Sequence, residues 1–435
     1  MFTTFRNAWK IEDLRKKLLF TLLVIVVYRL ACCMPVPFIS SDALTNLLGD
    51  NGSLLDIMDM FSGGAFSQAT LGALAVQPYI NASIIIQLLT VAIPALENLA
   101  KEGEEGRRKL TRITRYTGAG IALALSFGYY WLLRSQGVLS YTEGFSGVFA
   151  AIVIILSFAA GSMFIQWLGE QIDQKGIGNG ISLLIFAGIV SRFGSMFNTV
   201  RTYITLALAG MTKYFFFLPL LLILALVVIV LIVILNAAER RIPVQYAKRV
   251  VGRKMYGGQS SHIPIKVNMS GVMPIIFASA ILSIPSTIGT FLPGLNNQTD
   301  HPFWYAFFHL FHSNSGFYAV VYFILIIMFN YFYVAIQYNP VEIANNLRNN
   351  NGAIPGYRPG KPTSDFITKV LGKITFTGAL FLGVVASLPS IISMITGLPV
   401  SLGGTSLLIV VGVALDTSRS LESYMLMRHH KGFLE

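Results

Sequence analysis

The chain has 435 residues, of which 54% are hydrophobic and only 12% are charged, and its mean hydropathy is +0.65. Globular domains carry about a quarter charged residues, so this composition excludes an ordinary water-soluble protein. The formal charge of +12 is less informative than its distribution, because basic residues mark the cytoplasmic loops of membrane proteins.

Apolar residues recur along the chain in blocks of about twenty, the length of helix that spans a hydrocarbon core of about 30 Å. The sequence therefore predicts an all-α polytopic membrane protein with about ten transmembrane helices. The predicted spans lie near residues 18–36, 72–96, 115–134, 148–169, 177–200, 214–236, 271–292, 317–338, 370–394 and 402–425.

The stretch between the first two spans is apolar but too short to cross. Residues 57–70 are interrupted by a Ser-Gly-Gly sequence and would reach only about 21 Å as a helix. If they crossed, the basic loops at 101–115 and 240–266 would move to the outside, against the positive-inside rule. The pattern favours a re-entrant segment, and an apolar external loop packed on the helices is the alternative. Backbone at membrane depth must be buried in protein or line a cavity.

Most of the 32 Lys and Arg residues fall in the termini and in alternate loops, which places both termini in the cytosol. Ten spans divide as five and five near residue 210, into an N-terminal half (1–210) and a C-terminal half (211–435). Because five is odd, two related halves would have opposite orientations, as in many transport proteins. No clear sequence repeat relates the halves, so inverted halves are a hypothesis from topology only.

Signals for catalysis, cofactors and metals are weak. The sequence GIGNG at 176–180 lacks a following Lys-Ser or Lys-Thr, so it predicts a tight cytoplasmic hairpin rather than a nucleotide site. His309 and His312 have helical spacing but no acidic or thiol partner nearby in the sequence. We therefore expect no enzyme activity, no cofactor and no metal. Asp416 and Arg419 lie one turn apart in the last span, and we expect them to pair with each other.

The middle of the spans is nearly free of charge, and its polar residues are small and neutral, such as Asn81 and Ser83 beside Pro78. Ion-coupled transporters usually carry ionisable residues at this depth. The lack of such residues argues against an ion-coupled transporter. A solute transporter with inverted repeats is therefore kept only as an alternative function.

Two cytoplasmic loops, 237–270 and 339–367, are long and mix Arg with Tyr, Pro and Gly. Topology explains why such loops are basic, but it does not explain their length or their aromatic residues. Exposed basic surface with aromatic anchors suits a large docked partner rich in acidic or phosphate groups.

Seven segments, in order along the chain, closely resemble the SecY family of protein-translocation channels. They are MFSGGAFSQATLGALAVQPYINASIIIQLL, KEGEEGRRKLTRITRY, GIGNGISLLIFAGI, ERRIPVQYAKR, IPIKVNMSGVMPIIFAS, NPVEIANNLRNNNGAIPGYRPG and GGTSLLIVVGVALD. The external loops at 137–147 and 293–316 and both termini carry no such likeness. The resemblance implies two inverted halves hinged between spans five and six. It also implies a channel that passes unfolded secretory polypeptides across the bacterial plasma membrane and releases membrane segments sideways into lipid.

In this family the segment after the first span folds back from outside as a plug, here about residues 56–70. The plug residues would be Asp56, Met58, Met60, Phe61, Ser62, Gly63, Gly64 and Phe66. A ring of aliphatic side chains would form the constriction beneath it. The ring residues that match the family's motifs would be Val76, Ile80, Ile181, Ile185, Ile276 and Ile409. Val76 stands where the family often has Ile, so one side of the ring would be slightly looser.

The resemblance further implies a lateral gate between spans two and three and spans seven and eight, with Gln87 as a polar latch. The two long loops would dock the SecA ATPase and the ribosome. The docking residues would be Arg240, Arg241, Lys248, Arg249 and Arg358. SecE would clamp the two halves and SecG would lie at the periphery. Secretory precursors, signal sequences and phospholipid would be the remaining partners.

Overall fold

Helices make up nearly all the regular structure in the described part of the chain. The computed structural model describes residues 6, 8–40, 59, 62–135, 137–208, 212–246, 249–251, 254–256, 260–291, 302–311, 315–396 and 404–431. The first helices are α1 (Glu12–Cys33), α2 (Gln77–Ala92), α3 (Pro94–Lys101), α4 (Glu104–Ser135), α5 (Gly144–Lys175), α6 (Gly180–Ser191) and α7 (Phe193–Leu208). They are followed by α8 (Thr212–Ala237), α9 (Met273–Phe291), α10 (Pro302–Leu310), α11 (Gly316–Gln337), α12 (Pro340–Asn349), α13 (Lys361–Thr396) and α14 (Gly404–Lys431).

Every predicted span coincides with one helix or with two consecutive helices. Within the described ranges, the stretches Gly144–Lys175, Gly316–Asn349 and Lys361–Leu388 are each long and apolar enough to cross a membrane. Large apolar side chains such as Leu156 on α5 and Leu226 on α8 are exposed. Apolar faces of this extent require an apolar environment such as lipid.

The second span is shorter than predicted and is bent. Helix α2 begins at Gln77, because the preceding residues form turns in which Ala75 has a φ of +45°. It ends at Ala92, and the chain bends by 101° into α3. Pro94 stands at the start of α3 and has no N–H to continue the ladder of α2.

The third and ninth spans begin earlier than predicted, since α4 starts at Glu104 and α13 at Lys361. Hydropathy marks only the apolar part of such a helix, whereas its polar first turns are stabilised by pairs such as Glu104 and Arg108 (2.8 Å). The fifth span is divided between α6 and α7 at Arg192. The N–H of Arg192 donates to the carbonyl of Ile189, three residues earlier in the chain, at 3.1 Å.

The hairpin predicted at 176–180 is confirmed, because α5 ends at Lys175 and α6 begins at Gly180. The expected direct pairing of Asp416 with Arg419 is not found: the two side chains interact electrostatically, but no ion pair joins them within the described chain. Arg419 instead donates to the backbone carbonyl of Asn236, in the last turn of α8. The last carbonyls of a helix have no intrahelical partner and form the negative end of its dipole, so they attract a cation.

Both long loops contribute to one small antiparallel sheet. Its strands β1 (Glu239–Tyr246), β4 (Ser260–Lys266) and β5 (Gly352–Ala353) lie in the order β4-β1-β5, and β2 (Arg249–Val251) pairs separately with β3 (Lys254–Tyr256). Ile242 opposes Ile263, and Gln245 opposes Ala353. The sheet packs on α11, α12 and α13 through buried Ile242 and Val244.

The main apolar core lies at the centre of the bundle, where α1, α5, α6, α9 and α14 converge. A second core joins α8, α9, α11 and α13, and Ile84 of α2 reaches into it. Helix α9 belongs to both cores, so it connects the first part of the chain to the second.

Candidate pore and plug

The six side chains predicted to form the ring lie together in the central core. Val76, Ile181, Ile185, Ile276 and Ile409 are buried there, and half-buried Ile80 packs against them. They come from α6, α9, α14 and the beginning of α2, that is, from both predicted halves. Any movement of one half against the other would therefore change this cluster.

The beginning of α6 is built to bring Ile181 to the centre. Asn179 caps the helix, because its side-chain oxygen accepts the N–H of Ser182 at 3.0 Å. A Cβ on Gly180 would overlap the backbone carbonyl of Gly169, so only glycine permits this approach of α5 and α6. The ring position therefore depends on a backbone contact that hydropathy does not reveal.

Asp173, near the C-terminal end of α5, supports the same turn. Its carboxylate accepts the N–H of Gly180 at 2.7 Å. The carboxylate thus satisfies a helix N-terminus.

The ring is closed from the other side by an approach of α14 to α9. A Cβ on Gly412 would lie 2.7 Å from the Cγ1 of Val272, just before α9. Val272 and Val413 are both part of the central core. A side chain at Gly412 would push α14, and with it Ile409, away from α9.

The segment predicted as the plug is buried in protein and does not cross as a helix. Asp56, Met58, Met60 and Phe61 lie outside the described residues. Asp59 and residues 62–76 form mainly turns, and Ser62 and Phe66 are almost fully buried. The predicted glycines Gly63 and Gly64 both have left-handed φ angles.

After these turns the segment returns to the end of α1. Val36 donates its N–H to the carbonyl of Ala69 at 3.2 Å, and Leu71 donates to the carbonyl of Met34 at 2.9 Å. These hydrogen bonds satisfy backbone N–H and carbonyl groups that lie outside a helix and so have no partner within one. The segment therefore has the buried backbone that a non-helical element needs at membrane depth.

Asp59 provides an ionic contact between this segment and the helices. Its carboxylate lies 3.4 Å from the guanidinium of Arg192, which follows α6, and its own side chain is only 8% exposed. The other carboxylate oxygen accepts the N–H of Ser67 at 2.8 Å. A buried carboxylate with both partners in place costs much less than an unpaired one.

Two further contacts seat the segment. Tyr129 of α4 donates its hydroxyl to the carbonyl of Phe66 at 2.6 Å, and the two rings lie 4.4 Å apart. On the opposite side, a Cβ on Gly63 would be 2.5 Å from Nη1 of Arg29 in α1. This buried nitrogen has no hydrogen-bond partner within the described chain. A Cβ on Gly63 would also lie 2.6 Å from Oγ of Ser191 and 2.8 Å from the carbonyl oxygen of Gly188, so only glycine fits among these three neighbours.

Sequence reasoning missed Arg192, Arg29 and Tyr129 as functional candidates. Each contacts the segment from a different helix, and Tyr129 is 63 residues from its partner Phe66. No local sequence pattern predicts contacts between residues so far apart in the chain. A charged residue at the outer end of a span, such as Arg29, was the only available signal.

The seam predicted as a lateral gate is closed by packing. Helix α9 contacts both α2 and α4, and Ile84 of α2 packs with Ile275 of α9 and Tyr322 of α11. Gln87 is half-buried on α2 and its backbone carbonyl accepts the hydroxyl of Thr90 at 2.7 Å. Within the described chain, no side chain hydrogen-bonds the Gln87 amide.

Three of the predicted docking residues are displayed on the small sheet formed by the two long loops and on its neighbouring turn. Arg240 and Arg241 are exposed on β1, where Arg241 pairs with Glu239 at 2.7 Å. Arg358 is exposed in the turn before α13, and its carbonyl accepts the Thr363 hydroxyl at 2.8 Å. Pairing of β1 with β5 brings the two loops together.

The other two docking residues are less informative. Arg249 is the first residue of β2, and Lys248 lies outside the described residues. Sequence reasoning missed the sheet itself, although the alternation of buried Ile242 and Val244 with exposed neighbours in ERRIPVQY is a strand signal.

The fold and the site together define a polytopic α-helical membrane protein whose helices converge on an apolar centre beside a folded-back segment. The family model for SecY matches residues 70–418. The chain is 40% identical to the protein translocase subunit SecY of Streptomyces galbus and 41% identical to that of Thermotoga maritima. The matches cover all of this chain and 100% and 98% of the two relatives, respectively. The chain belongs to the SecY family.

Solved structures agree with this fold. One described as the structure of a protein-conducting channel matches with a TM-score of 0.62 at 20% identity, over 94% of this chain and 92% of the other. Sec61 in the canine ribosome–channel complex matches with a TM-score of 0.57 at 19% identity over the same shares. The predicted fold of about ten membrane-spanning helices is confirmed.

Proposed function

We propose that this chain forms a protein-conducting channel. It passes unfolded secretory polypeptides across the membrane and releases membrane segments sideways into lipid. The observation that carries the proposal is the central cluster, in which six aliphatic side chains from four helices meet beside a buried, folded-back segment. Full-length similarity to protein translocase subunits supports it.

An apolar constriction suits this task physically. A narrow apolar ring dewets and blocks ions, yet it offers no fixed hydrogen bonds that would retain a passing polypeptide. A pore that admits every kind of side chain must be chemically indifferent, which explains the nearly uncharged spans. An extended chain also needs a smaller opening than a helix of about 10–12 Å.

The folded-back segment acts as the plug that seals this ring from outside. Its ion pair with Arg192 after α6, its hydrogen bond from Tyr129 of α4 and its close packing against Arg29 of α1 hold it in a defined seat. Residues 1–210 and 211–435 part as two halves, and the seam of α2 and α4 against α9 opens as the lateral gate. Gln87 serves there as a polar latch. A segment that samples lipid through the gate stays there if transfer is favourable, at about 0.8 kcal/mol per buried methylene.

The energy comes from partners docked on the cytoplasmic sheet. Arg240, Arg241 and Arg358 meet SecA or a ribosome, together with Lys248 and Arg249. SecE clamps the halves and SecG lies at the periphery. The complex lies in the bacterial plasma membrane among phospholipids, with both termini of this chain in the cytosol.

The deciding experiment places a photocrosslinking amino acid singly at Ile80 or Ile276, with a secretory precursor stalled midway. Ile85 on α2 and Ile284 on α9 are matched controls, because they are isoleucines on the same helices with 42% and 48% of their surface exposed. We expect crosslinks to the mature part of the precursor from Ile80 and Ile276 only. If neither crosslinks while the controls contact lipid, the ring assignment fails and solute uptake becomes the next assay.

Docking is tested by charge reversal. Arg358→Glu should impair SecA-driven translocation and leave assembly of the complex intact, because the side chain is exposed and makes no ion pair within the described chain. Lys361→Glu nearby is the control for a general loss of positive charge. Normal translocation by Arg358→Glu would refute the assigned role.

A further inference from the structure

Helix α10, between α9 and α11, has an aromatic face that no described part of the chain covers. Its sequence, PFWYAFFHL, contains no Asp, Glu, Lys or Arg. Phe303 is 75% exposed and Trp304 is 44% exposed. We propose that α10 lies in the boundary between lipid headgroups and acyl chains, on the membrane face opposite the cytoplasmic sheet, and anchors the end of α9 there.

The distribution of side chains around α10 is that of a helix lying at an interface. Phe303, Phe307 and Leu310 are spaced by four and three residues and share one face. Tyr305 and His309 lie on the opposite side, with their rings 5.8 Å apart. The helix therefore has one face suited to acyl chains and another suited to headgroups and water.

A third face fixes α10 to the rest of the protein. Phe308 is buried, and a Cβ on Gly289 in the last turn of α9 would lie only 2.8 Å from its ring. Trp304 stacks on Phe308 with ring centroids 5.9 Å apart. The exposed aromatic residues thus belong to an element packed on α9 rather than to a loose loop.

The exposed face is continuous with a surface that the fold places in lipid. The ring of Phe307 contacts Phe311 (5.1 Å), which contacts Phe317 at the start of α11 (5.6 Å). Phe317 is exposed, as are Val320 and Ile324 farther along the same helix. An unbroken apolar surface therefore leads from the membrane-spanning part of α11 onto α10.

The position along α9 agrees with this placement. Strand β4 leads into the beginning of α9, and α10 follows its end, so the sheet and α10 lie at opposite ends of that helix. Nine residues make a helix of about 13.5 Å, which is too short to cross a bilayer. Tryptophan and tyrosine are enriched at membrane interfaces, where one end of the ring is in an apolar environment and the other is hydrated.

The test uses the full-length chain with Trp304 as its sole tryptophan, after replacing Trp9, Trp131 and Trp167 with Phe. It is reconstituted in phosphatidylcholine vesicles whose acyl chains carry bromine at defined depths. We expect bromine near the headgroup end to quench Trp304 at least about twofold more than bromine near the bilayer centre, with little quenching by aqueous acrylamide. A protein that retains only Trp131, which is exposed on the spanning helix α4, calibrates lipid exposure.

A pair of substitutions on α10 separates the two faces. Phe303→Asp should reduce quenching of Trp304 by lipid bromine about twofold or more, whereas His309→Asp on the polar face should leave it unchanged. Both substitutions are repeated in the Trp131-only protein, whose unchanged quenching shows that the fold is intact.

Three results would overturn the proposal. Strong acrylamide quenching without lipid quenching would place α10 in water. If Trp304 is protected from acrylamide only at low lipid-to-protein ratios, a second copy of the chain covers α10. If Trp304 is protected from acrylamide only when a precursor is stalled in the channel, the precursor polypeptide covers α10. Fluorescence does not depend on transport, so failure of the crosslinking experiment above would leave this result standing.

Discussion

The proposed ring and the proposed plug lie side by side in the core of the protein but are held by different interactions. The ring residues make apolar contacts, which have no preferred direction. The plug is held by directional contacts: Asp59 with Arg192, Tyr129 with the Phe66 carbonyl, and a glycine turn against Arg29.

The two kinds of contact have similar energies, so the difference lies in their geometry. Burying an isoleucine side chain contributes about 1.5–3 kcal/mol, and a hydrogen bond to a charged group about 1.5–3 kcal/mol. Apolar side chains can separate and then pack again around a polypeptide of any sequence. Hydrogen bonds re-form in only one arrangement, so they define a single seat. The proposed seal must open for every substrate and then close again, so it needs both apolar contacts and hydrogen bonds.

The largest effect is expected from Ile276→Ser, which puts a hydroxyl into the ring. Water would enter the constriction, and the ion conductance of planar bilayers containing the protein should rise by about two orders of magnitude. Ile284→Ser, on the exposed side of the same helix, should leave the conductance unchanged. If both variants conduct alike, the barrier lies elsewhere.

The next effect should come from Asp59→Ala, which removes the ion pair with Arg192 and leaves the Ser67 N–H without its acceptor. Loss of these contacts should loosen the seat by about 1–3 kcal/mol. A cysteine at buried Ala65, in a protein whose two native cysteines are replaced by serine, should then react about tenfold faster with a water-soluble maleimide.

Asp59→Asn separates the two contacts, because its side-chain oxygen still accepts from Ser67 although the charge is gone. Its labelling rate should lie between those of the wild type and Asp59→Ala. A rate equal to that of the wild type would mean that the pairing with Arg192 contributes nothing to the seat.

Gly63→Ala and Gly64→Ala form a matched pair at the plug turn. Both put alanine at a left-handed φ, but only Gly63 faces Arg29, whereas a Cβ at Gly64 meets no atom within 4 Å. Labelling at Ala65 should therefore rise about fivefold more in Gly63→Ala. Equal effects would show that backbone strain, rather than contact with Arg29, Ser191 and the Gly188 carbonyl, limits this position.

The smallest effect is expected at Asp173, which supports the helix that carries Ile181. Asp173→Ala leaves the Gly180 N–H without its acceptor and should destabilise the protein in detergent by about 1 kcal/mol, measured by thermal unfolding. Asp173→Asn keeps the acceptor and should cost less.

Much of the architecture follows from local patterns in the sequence. The blocks of apolar residues identified every span, because a bilayer selects helices by length and hydropathy. The distribution of basic loops required that residues 57–70 do not cross, and the glycines at 176–180 predicted a hairpin that forms between α5 and α6. The motifs of the SecY family singled out six side chains that the structure brings together in the central core.

Other features depend on contacts between distant parts of the chain. Apolar burial is not directional, so an apolar sequence does not specify which helix another will pack against. The approach of Gly180 to Gly169, the pairing of Asp59 with Arg192 and the joining of two loops by β1 and β5 are visible only after folding. The sequence by itself therefore determined that the chain is a membrane protein and which stretches form its apolar helices. Tertiary structure decided which side chains meet at the centre, because close contacts between backbones and between buried charges have no signature along the chain.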